Sequence, residues 1–281
     1  MKFVVIVAMY NMEPWIAENI RMLQSQTYKN FHCLIGDDLS TDNSFKVASA
    51  AVGSDPRFEI VRHQVKKFSL GNIAALIEHA NPADNDVLIL VDGDDLLAHD
   101  RVLEKLAAVY AANNCLMTYG SYSETGLSVA PKYGPYPEWV KRLNCYRLVR
   151  WRASHLKTFK YVLWKHIPGQ YFSIDSSELK RARRRALITG CFRTWMHWNQ
   201  IERASLLSPC ERYTRRCSDK AITYSLLELA GGRDSFIPDV LYHYRVGEWE
   251  HDFGNRKISQ KWFARLTRNI LRHKPRLQPI K

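Results

Sequence analysis

The apolar run from Val87 to Val91 closes on Asp92-Gly93-Asp94-Asp95, three carboxylates in four positions. Like charges this close raise one another's pKa unless a positive partner holds them ionised. Asp and Gly are ordinary turn residues, and a plain turn would use the same letters. Alternating carboxylates at the end of a buried strand, however, aim two side chains into one crevice, where hard oxygen ligands suit Mg²⁺ or Mn²⁺. Mg²⁺ typically takes one or two carboxylates and completes its shell with substrate phosphates. The stretch therefore predicts a divalent cation, Mn²⁺ or Mg²⁺, that arrives with a diphosphate.

The elements that must position this cluster are legible upstream. FVVIVAM (3–9) is a continuous apolar run, as in a strand covered on both faces. Trp15-Ile16, Ile20 and Leu23 recur at helical spacing after Pro14, which predicts a helix over 14–26. A strand follows at 31–36, a helix at Ser44–Val52 and a strand at 58–61. A helix with Ile73, Leu76, Ile77 and Ala80 on one face then precedes the strand at 87–91, and an amphipathic helix starts from Arg101. Strand and helix in alternation predict an α/β fold with a parallel, doubly wound sheet, whose ligands bind beyond the carboxyl ends of the strands. Three polar endings converge there: Tyr10-Asn11-x-Glu13, Asp37-Asp38 and Asp92-x-Asp94-Asp95.

The 281 residues carry a net charge of +13, unevenly spread. Residues 1–120 have a net of −5 and residues 121–281 a net of +18, which suggests two working parts with different partners. No apolar run approaches the ~20 residues of a membrane span. The N-terminal MKFVVIVAMYNMEP reads as a buried first strand rather than a signal peptide, since no small-x-small site follows it. The six cysteines show neither CxxC nor zinc spacing, so reduced thiols and a cytoplasmic location are expected. Past residue 120 the alternation fades. Residues 136–170 interleave Trp139, Trp151 and Trp164 with eight Lys/Arg, 214–232 reads as a helix capped by a Gly pair, and FIPDVLYHYRV reads as a short apolar turn. The tail from Lys261 is a basic amphipathic helix broken at Pro275.

VVIVAMYNMEPWIAENIRMLQSQTYKNFHCLIGDDLSTDNS followed by LILVDGDDLL resembles the nucleotide-sugar domain of family 2 glycosyltransferases over roughly residues 2–120. The resemblance implies a GT-A fold, with a mostly parallel Rossmann-like sheet flanked by helices. It also implies inverting transfer of a sugar from a nucleoside diphosphate donor, UDP favoured, to an acceptor hydroxyl on a glycan, glycolipid or lipopolysaccharide. By position, Tyr10 and Glu13 would line the nucleotide pocket and Asp38 would accept a hydrogen bond from the base. Asp92 would contact ribose or metal, and Asp94 would ligate the metal. Asp38 could instead cap the following helix, a role Ser40 or Asp42 could also fill. This sequence departs from the family pattern at Ala8, usually proline, and at Leu39, usually glycine. In the segment SLGNIAALIEHA the usual Arg-Asn pair reads Leu76-Ile77, which makes it scaffold and leaves Lys66 or Lys67 as the phosphate contact.

In the second half, CSDKAITYSLLELAGG resembles the segment that carries the family's general base, with Asp219 at the aspartate position and Glu228 as the fallback. An N-cap role for Asp219 is compatible with the same spacing. LYHYRVGEWEHD resembles the family's closing segment, so His243, Arg245 and His251 become candidates for a third metal ligand or a phosphate contact. WRASHLKTFK resembles a motif of some members, in which His155 and Lys157 face the diphosphate or the acceptor, or simply pack. The expected organisation is a donor-binding half at 1–120, an acceptor-binding and catalytic half at 121–260, and a basic C-terminal helix and tail at 261–281. Interleaved basic and aromatic residues also suit a single-strand nucleic-acid binder. No RRM, KH or helix-turn-helix signature is present, and the acidic first half would repel a polyanion. The better partners are a lipid-linked acceptor and an anionic membrane surface on which the 261–274 helix would lie. A degenerate transferase fold serving as a basic scaffold is the competing reading.

Overall fold

The computed structural model describes residues 1–124, 134–189, 191–210, 212–245 and 260–280. Eight strands, β1 (Phe3–Met9), β2 (Phe31–Asp37), β3 (Phe58–Arg62), β4 (Val87–Asp92), β5 (Leu96–Leu97), β6 (Met117–Glu124), β7 (Ser154–Lys160) and β8 (Asp234–Tyr244), form one sheet in the order β3-β2-β1-β4-β7-β6-β8-β5. Its β3-β2-β1-β4 part is wholly parallel. β7 joins antiparallel to β4, and β6 and β8 pair parallel to each other. The β1–β2 and β1–β4 pairings place chain order on opposite sides of β1, which makes the carboxyl ends of β1 and β4 the switch point of the sheet.

β1 is apolar throughout because both its faces are covered. Val4 and Ile6 point into one cluster, under α3 (Phe68–Ala80) and α9 (Ser218–Ala230). Phe3, Val5, Val7 and Met9 point into the other, under α1 (Ile16–Gln24), α2 (Ser44–Val52) and α4 (Val102–Ala112). The expected helices and strands of the first half are all present. The expected boundary at residue 120 falls inside β6, and β7 and β8 extend the same sheet, while a third apolar cluster, with Leu179, Trp198 and Leu266, lies wholly in the second half.

FIPDVLYHYRV does not read out as a turn: its described part through Tyr244 lies in the 11-residue strand β8. Pro238 cannot donate to a ladder, and the β6–β8 pairing slips there, jumping from Gly120↔Ile237 to Ser121↔Val240. The rest of the second half is helical, with short helices α5 (Glu138–Arg142) and α6 (Tyr161–Lys165) beside α7 (Ser176–Ile188), α8 (Phe192–Asn199) and α10 (Gln260–Arg272). The C-terminal helix also differs from expectation. Phe263, Leu266 and Ile270 of α10 are buried against α7 and α8, so its apolar face is core and is not available to a lipid interface. Arg147 reaches the carbonyl of Leu271 at 2.6 Å, and Arg233 bonds the carbonyl of Ile280 at 2.5 Å, which ties the tail to the body. All six cysteines are free thiols. Among the described residues no helix is long and apolar enough to cross a membrane.

Candidate active site

The loop Asp92–Asp95 leaves β4 at the switch point and is held by backbone-directed contacts. Asn19, buried on α1, donates to the carbonyls of Asp92 (3.1 Å) and Asp95 (2.7 Å). The Gly93 amide bonds Ala8 O, and a Cβ at Gly93 would stand only 3.1 Å from that oxygen, which is why glycine occupies the turn. Arg245 closes the far side: its amide donates to Asp95 Oδ1 (2.7 Å), its Nε to Asp94 O (2.9 Å) and its Nη2 to Glu18 Oε2 (2.9 Å). The carboxylates of Asp92 and Asp94 line the adjoining cavity, while Asp95 is buried beneath it. Burial raises the pKa of Asp94. Burial, with Asp92 and Asp94 adding to it, pushes Asp95 up to about 8. The loop is thus an electrostatically costly arrangement that a cation would relieve.

The cavity, about 270 Å³, is walled by Tyr10 after β1, Asp38 after β2, Asp92 and Asp94 after β4, Lys66, Phe68, Ser69 and Asn72 at the start of α3, and Arg215 and Tyr244 from the second half. Asp38 accepts the amides of Lys67 (2.6 Å) and Phe68 (2.8 Å), so it caps α3 rather than the helix that follows it. Asp42 serves α2 instead, accepting the amide of Ser44 at 3.0 Å. Three non-glycine residues around this pocket have left-handed backbone, Asn11 (φ 53°), Leu39 (φ 60°) and Phe68 (φ 59°). Leu39 thus adopts a conformation that glycine would favour, at a strain of roughly 1–2 kcal/mol.

The other nucleotide-side expectations separate. Tyr10 lines the cavity, and the Lys66 ammonium lies over its ring. Lys66, not Lys67, is the lysine on the cavity wall; Lys67 contributes its amide to Asp38. The Glu13 carboxylate turns away and accepts from the amide and Nδ2 of Asn43, both at 2.9 Å, fixing the loop after β1 against α2. Arg245 is likewise a clamp on the acidic loop and is absent from the cavity walls. His243 bonds Ser123 (2.5 Å), and His251 lies outside the described residues.

A second cavity of about 630 Å³ shares Ser69, Asp92, Arg215 and Tyr244 with the first, so the two form one crevice. Its other walls include His155 and Lys157 of β7, Ser218, Asp219 and Lys220 of α9, and Arg268 of α10. Asp219 sits in the first turn of α9 with its side chain 42% exposed, 3.7 Å from the Lys220 ammonium. The N-cap of α9 is Cys217, without a side-chain cap bond, so capping does not occupy the Asp219 carboxylate. Glu228, the fallback base, is excluded by its burial: it is 0% exposed and bound by Arg147 at 2.7 and 3.0 Å and by the Leu277 amide at 3.1 Å. His155 is part-buried in the cavity wall, its ring stacked 4.7 Å from that of Tyr242, and burial holds its imidazole well below the usual pKa. Lys157 is 6% exposed, and burial lowers its pKa while Asp219 and Asp92 oppose that shift.

Against known proteins, the profile of Glycosyl transferase family 2 matches residues 4–163. The chain belongs to that family. Among curated relatives, EpsE of Bacillus subtilis is 29% identical over 170 residues, 57% of this chain and 59% of that one. The Escherichia coli protein WfgD, named a UDP-Glc:α-D-GlcNAc-diphosphoundecaprenol β-1,3-glucosyltransferase, is 30% identical over 148 residues, 50% of this chain and 55% of that one. The chain therefore spans under two thirds of these relatives' lengths. Staphylococcus aureus TarS 1-349, solved in complex with UDP-GlcNAc, superposes with a TM-score of 0.59 at 17% identity over 96% of this chain and 65% of that one. The fold of this family 2 member is accordingly that of the GT-A glycosyltransferases.

Four lining or supporting residues escaped the sequence reading. Asn72 lies on the buried face of α3, donates to Gly36 O (2.7 Å) and pairs with His63 (2.8 Å); a buried amide amid Leu70, Gly71 and Ile73 was its only signal. Tyr244 falls within LYHYRVGEWEHD, the segment read as packing over the donor, but was not singled out there; Asn19 and Arg215 carry no local signature. Arg215 lies over the Phe68 ring at 4.6 Å and bonds the carbonyl of Leu207, joining the two halves across the crevice.

Proposed function

We propose that the chain is an inverting glycosyltransferase that moves a sugar from a nucleoside diphosphate donor to a hydroxyl of a glycan or lipid-linked acceptor. The observation that carries this reading is the shared crevice, with Asp92 on the wall common to a nucleotide-sized pocket, which Asp94 also lines, and a larger chamber lined by Asp219. Tyr10 and Asp38 would hold the base, Lys66 and Arg215 the phosphates. UDP is the favoured nucleotide, consistent with the UDP-Glc and UDP-GlcNAc in the names of the relative and the solved neighbour. Asp92 and Asp94 fit Mn²⁺ or Mg²⁺ that draws most of its ligands from phosphate and water, because among the described residues no third His, Cys, Asp or Glu completes a protein-only site. When bound, such an ion supplies charge neutralisation to the departing diphosphate.

Asp219 is the base in this scheme. Its carboxylate takes the acceptor proton as the acceptor oxygen attacks the anomeric carbon, and the carbon–oxygen bond to the diphosphate breaks on the opposite face. Incubation with a panel of nucleotide sugars and Mn²⁺, reading released nucleoside diphosphate, tests the assignment. Release that EDTA abolishes supports it; no release from any UDP-, GDP- or dTDP-sugar contradicts it.

An anionic membrane remains the proposed surface partner, at a different place from the C-terminal helix. Leu187 (50% exposed) and Ile188 (71%) at the end of α7, and Phe192 (61%) and Met196 (41%) on α8, are exposed, as are Arg184 and Arg193. Exposed apolar side chains interspersed with arginines suit a lipid surface carrying negative charge. Ile188→Ser with Phe192→Ser should abolish sedimentation with phosphatidylglycerol vesicles and spare donor hydrolysis. Undiminished sedimentation would remove the membrane from the account.

A further inference from the structure

A groove of about 740 Å³ lies outside the catalytic crevice, between the later turns of α3, α6 and the chain that leads into α7. Its floor is apolar and fixed. Ile77 and Ile167 are buried there, and Trp164 is held by stacking on Phe172 (ring centroids 4.9 Å) and Phe159 (6.2 Å). Tyr213 forms one side and packs on α3 so closely that a Cβ at Gly71 would stand 3.2 Å from its ring.

Around this floor stand polar groups without partners. Among the described residues the side chains of Asn81, Tyr161 and Gln170 form no hydrogen bond, and Glu78 and Arg212 form no ion pair. Single unpaired polar groups are ordinary on a surface; their convergence on one aromatic floor is the pattern of a ligand site. The remaining charges of the groove are engaged within the protein. Lys165 pairs with Asp84 (2.6 Å), Glu178 with Lys274 (2.6 Å), and Asp175 accepts the Glu178 amide (2.7 Å) as the cap of α7. One unpaired carboxylate and one unpaired guanidinium are left, so the groove favours an uncharged ligand.

That ligand must offer an apolar face to the floor and groups that both donate and accept to the rim. A sugar ring does so, with C–H faces and a border of hydroxyls. The amides and the phenol can meet a hydroxyl in either role, while Glu78 accepts and Arg212 donates. We infer that this groove is a saccharide site, separate from the catalytic crevice, that binds a neutral oligosaccharide. The identity of its occupant rests on the proposed function: the sugars of the acceptor that lie remote from the reacting hydroxyl. α3 joins the two places. Ser69 and Ile73 line the chamber that contains Asp219, and Ala74, Ile77 and Glu78 line the groove. Ser69 and Glu78 lie ~14 Å apart along the helix axis. The segment that carries Tyr213 and Arg215 borders both from the other side. An acceptor laid along α3 reaches the groove while its end lies near Asp219.

The test is capture of the full chain on an array of neutral and anionic oligosaccharides of hexoses and N-acetylhexosamines. The neutral glycans that bind are then titrated into wild type and into the double variant Tyr161→Phe, Gln170→Ala. Wild type should bind neutral oligosaccharides, and the variant should bind them about 5- to 50-fold more weakly, the worth of two hydrogen bonds. Its Tm and its affinity for UDP with Mn²⁺ should match wild type, since neither side chain has a partner in the fold and neither touches the crevice. Capture of no neutral glycan, capture of anionic glycans alone, or equal affinity in the variant would overturn the site. Glycan capture lost in the variant, from a wild type that turned over no nucleotide sugar, would support the site and overturn the proposed function.

Discussion

Replacing each candidate base by its amide separates structure from chemistry. Glu228→Gln keeps the volume but leaves Arg147, 2% exposed, without its bidentate carboxylate partner. Removing one member of a buried pair costs about 3–5 kcal/mol, because the remaining charge is stranded. The same carboxylate also accepts the Leu277 amide, and Arg147 also holds Leu271 O, so the C-terminal tail should loosen with the pair. At roughly 2–4 °C per kcal/mol for a chain of this size, the Tm should fall by about 6–20 °C. Activity per folded molecule, measured well below that Tm, should stay near wild type. Asp219→Asn should do the opposite. Its carboxylate is part-exposed and caps nothing, so the Tm should hold, while single-turnover transfer at saturating donor falls by about 10²–10⁴. Thermal unfolding by circular dichroism and rapid-quench transfer read the two effects independently. A Glu228→Gln variant that melted within about 1 °C of wild type, or an Asp219→Asn variant within threefold of wild-type transfer, would refute this division of roles.

Leu39→Gly should raise the Tm by about 1–4 °C, since relief of left-handed strain outweighs the added freedom of the unfolded chain; a lower Tm would mean that the Leu39 side chain contributes packing beyond its partial burial. In EDTA, Asp95 should make stability fall as pH rises. Its folded pKa, pushed to about 8, lies above the unfolded value near 4, so the folded chain holds a proton that the unfolded chain has lost across that window. Asp95→Asn should flatten the Tm decline between about pH 4 and 8, and an unchanged slope would place the titration elsewhere.

The first half was legible because its strands are covered on both faces, and β1, β2 and β4 therefore spell continuous apolar runs. The second half breaks that pattern for physical reasons. β6 and β7 bury polar groups that satisfy one another, Thr118 with Thr158 at 2.6 Å and Tyr110 with Thr158 at 2.9 Å, so they do not look apolar in sequence. β8 carries Pro238 at a slip in its pairing and reads as a turn. In the site, Asp92, Asp94, Asp38 and Tyr10 were readable because a strand end and a short spacing announce them. Glu13 and Arg245 were read for the right place but the wrong contact, since their partners Asn43 and Glu18 are fixed by the fold and not by spacing. The Arg147–Glu228 pair, 81 positions apart, left no local trace. α10 is amphipathic as its sequence indicates, but periodicity does not say whether an apolar stripe meets lipid or protein, and here it meets α7 and α8.

In the proposed function the carboxyl ends of β1, β2 and β4 form a metal-assisted nucleoside diphosphate site. Thermal unfolding of wild type and Asp94→Ala, each with EDTA, with Mn²⁺, and with Mn²⁺ plus UDP, tests it most directly. Ligand at 100 times its Kd stabilises by about 2.7 kcal/mol, so wild type with Mn²⁺ and UDP should gain about 5–10 °C over EDTA. Asp94→Ala, relieved of one carboxylate in a crowded cluster, should melt at or slightly above wild type in EDTA and gain little from Mn²⁺ and UDP. Equal gains in both proteins, or none in wild type with any of UDP, GDP or dTDP, would contradict the claim.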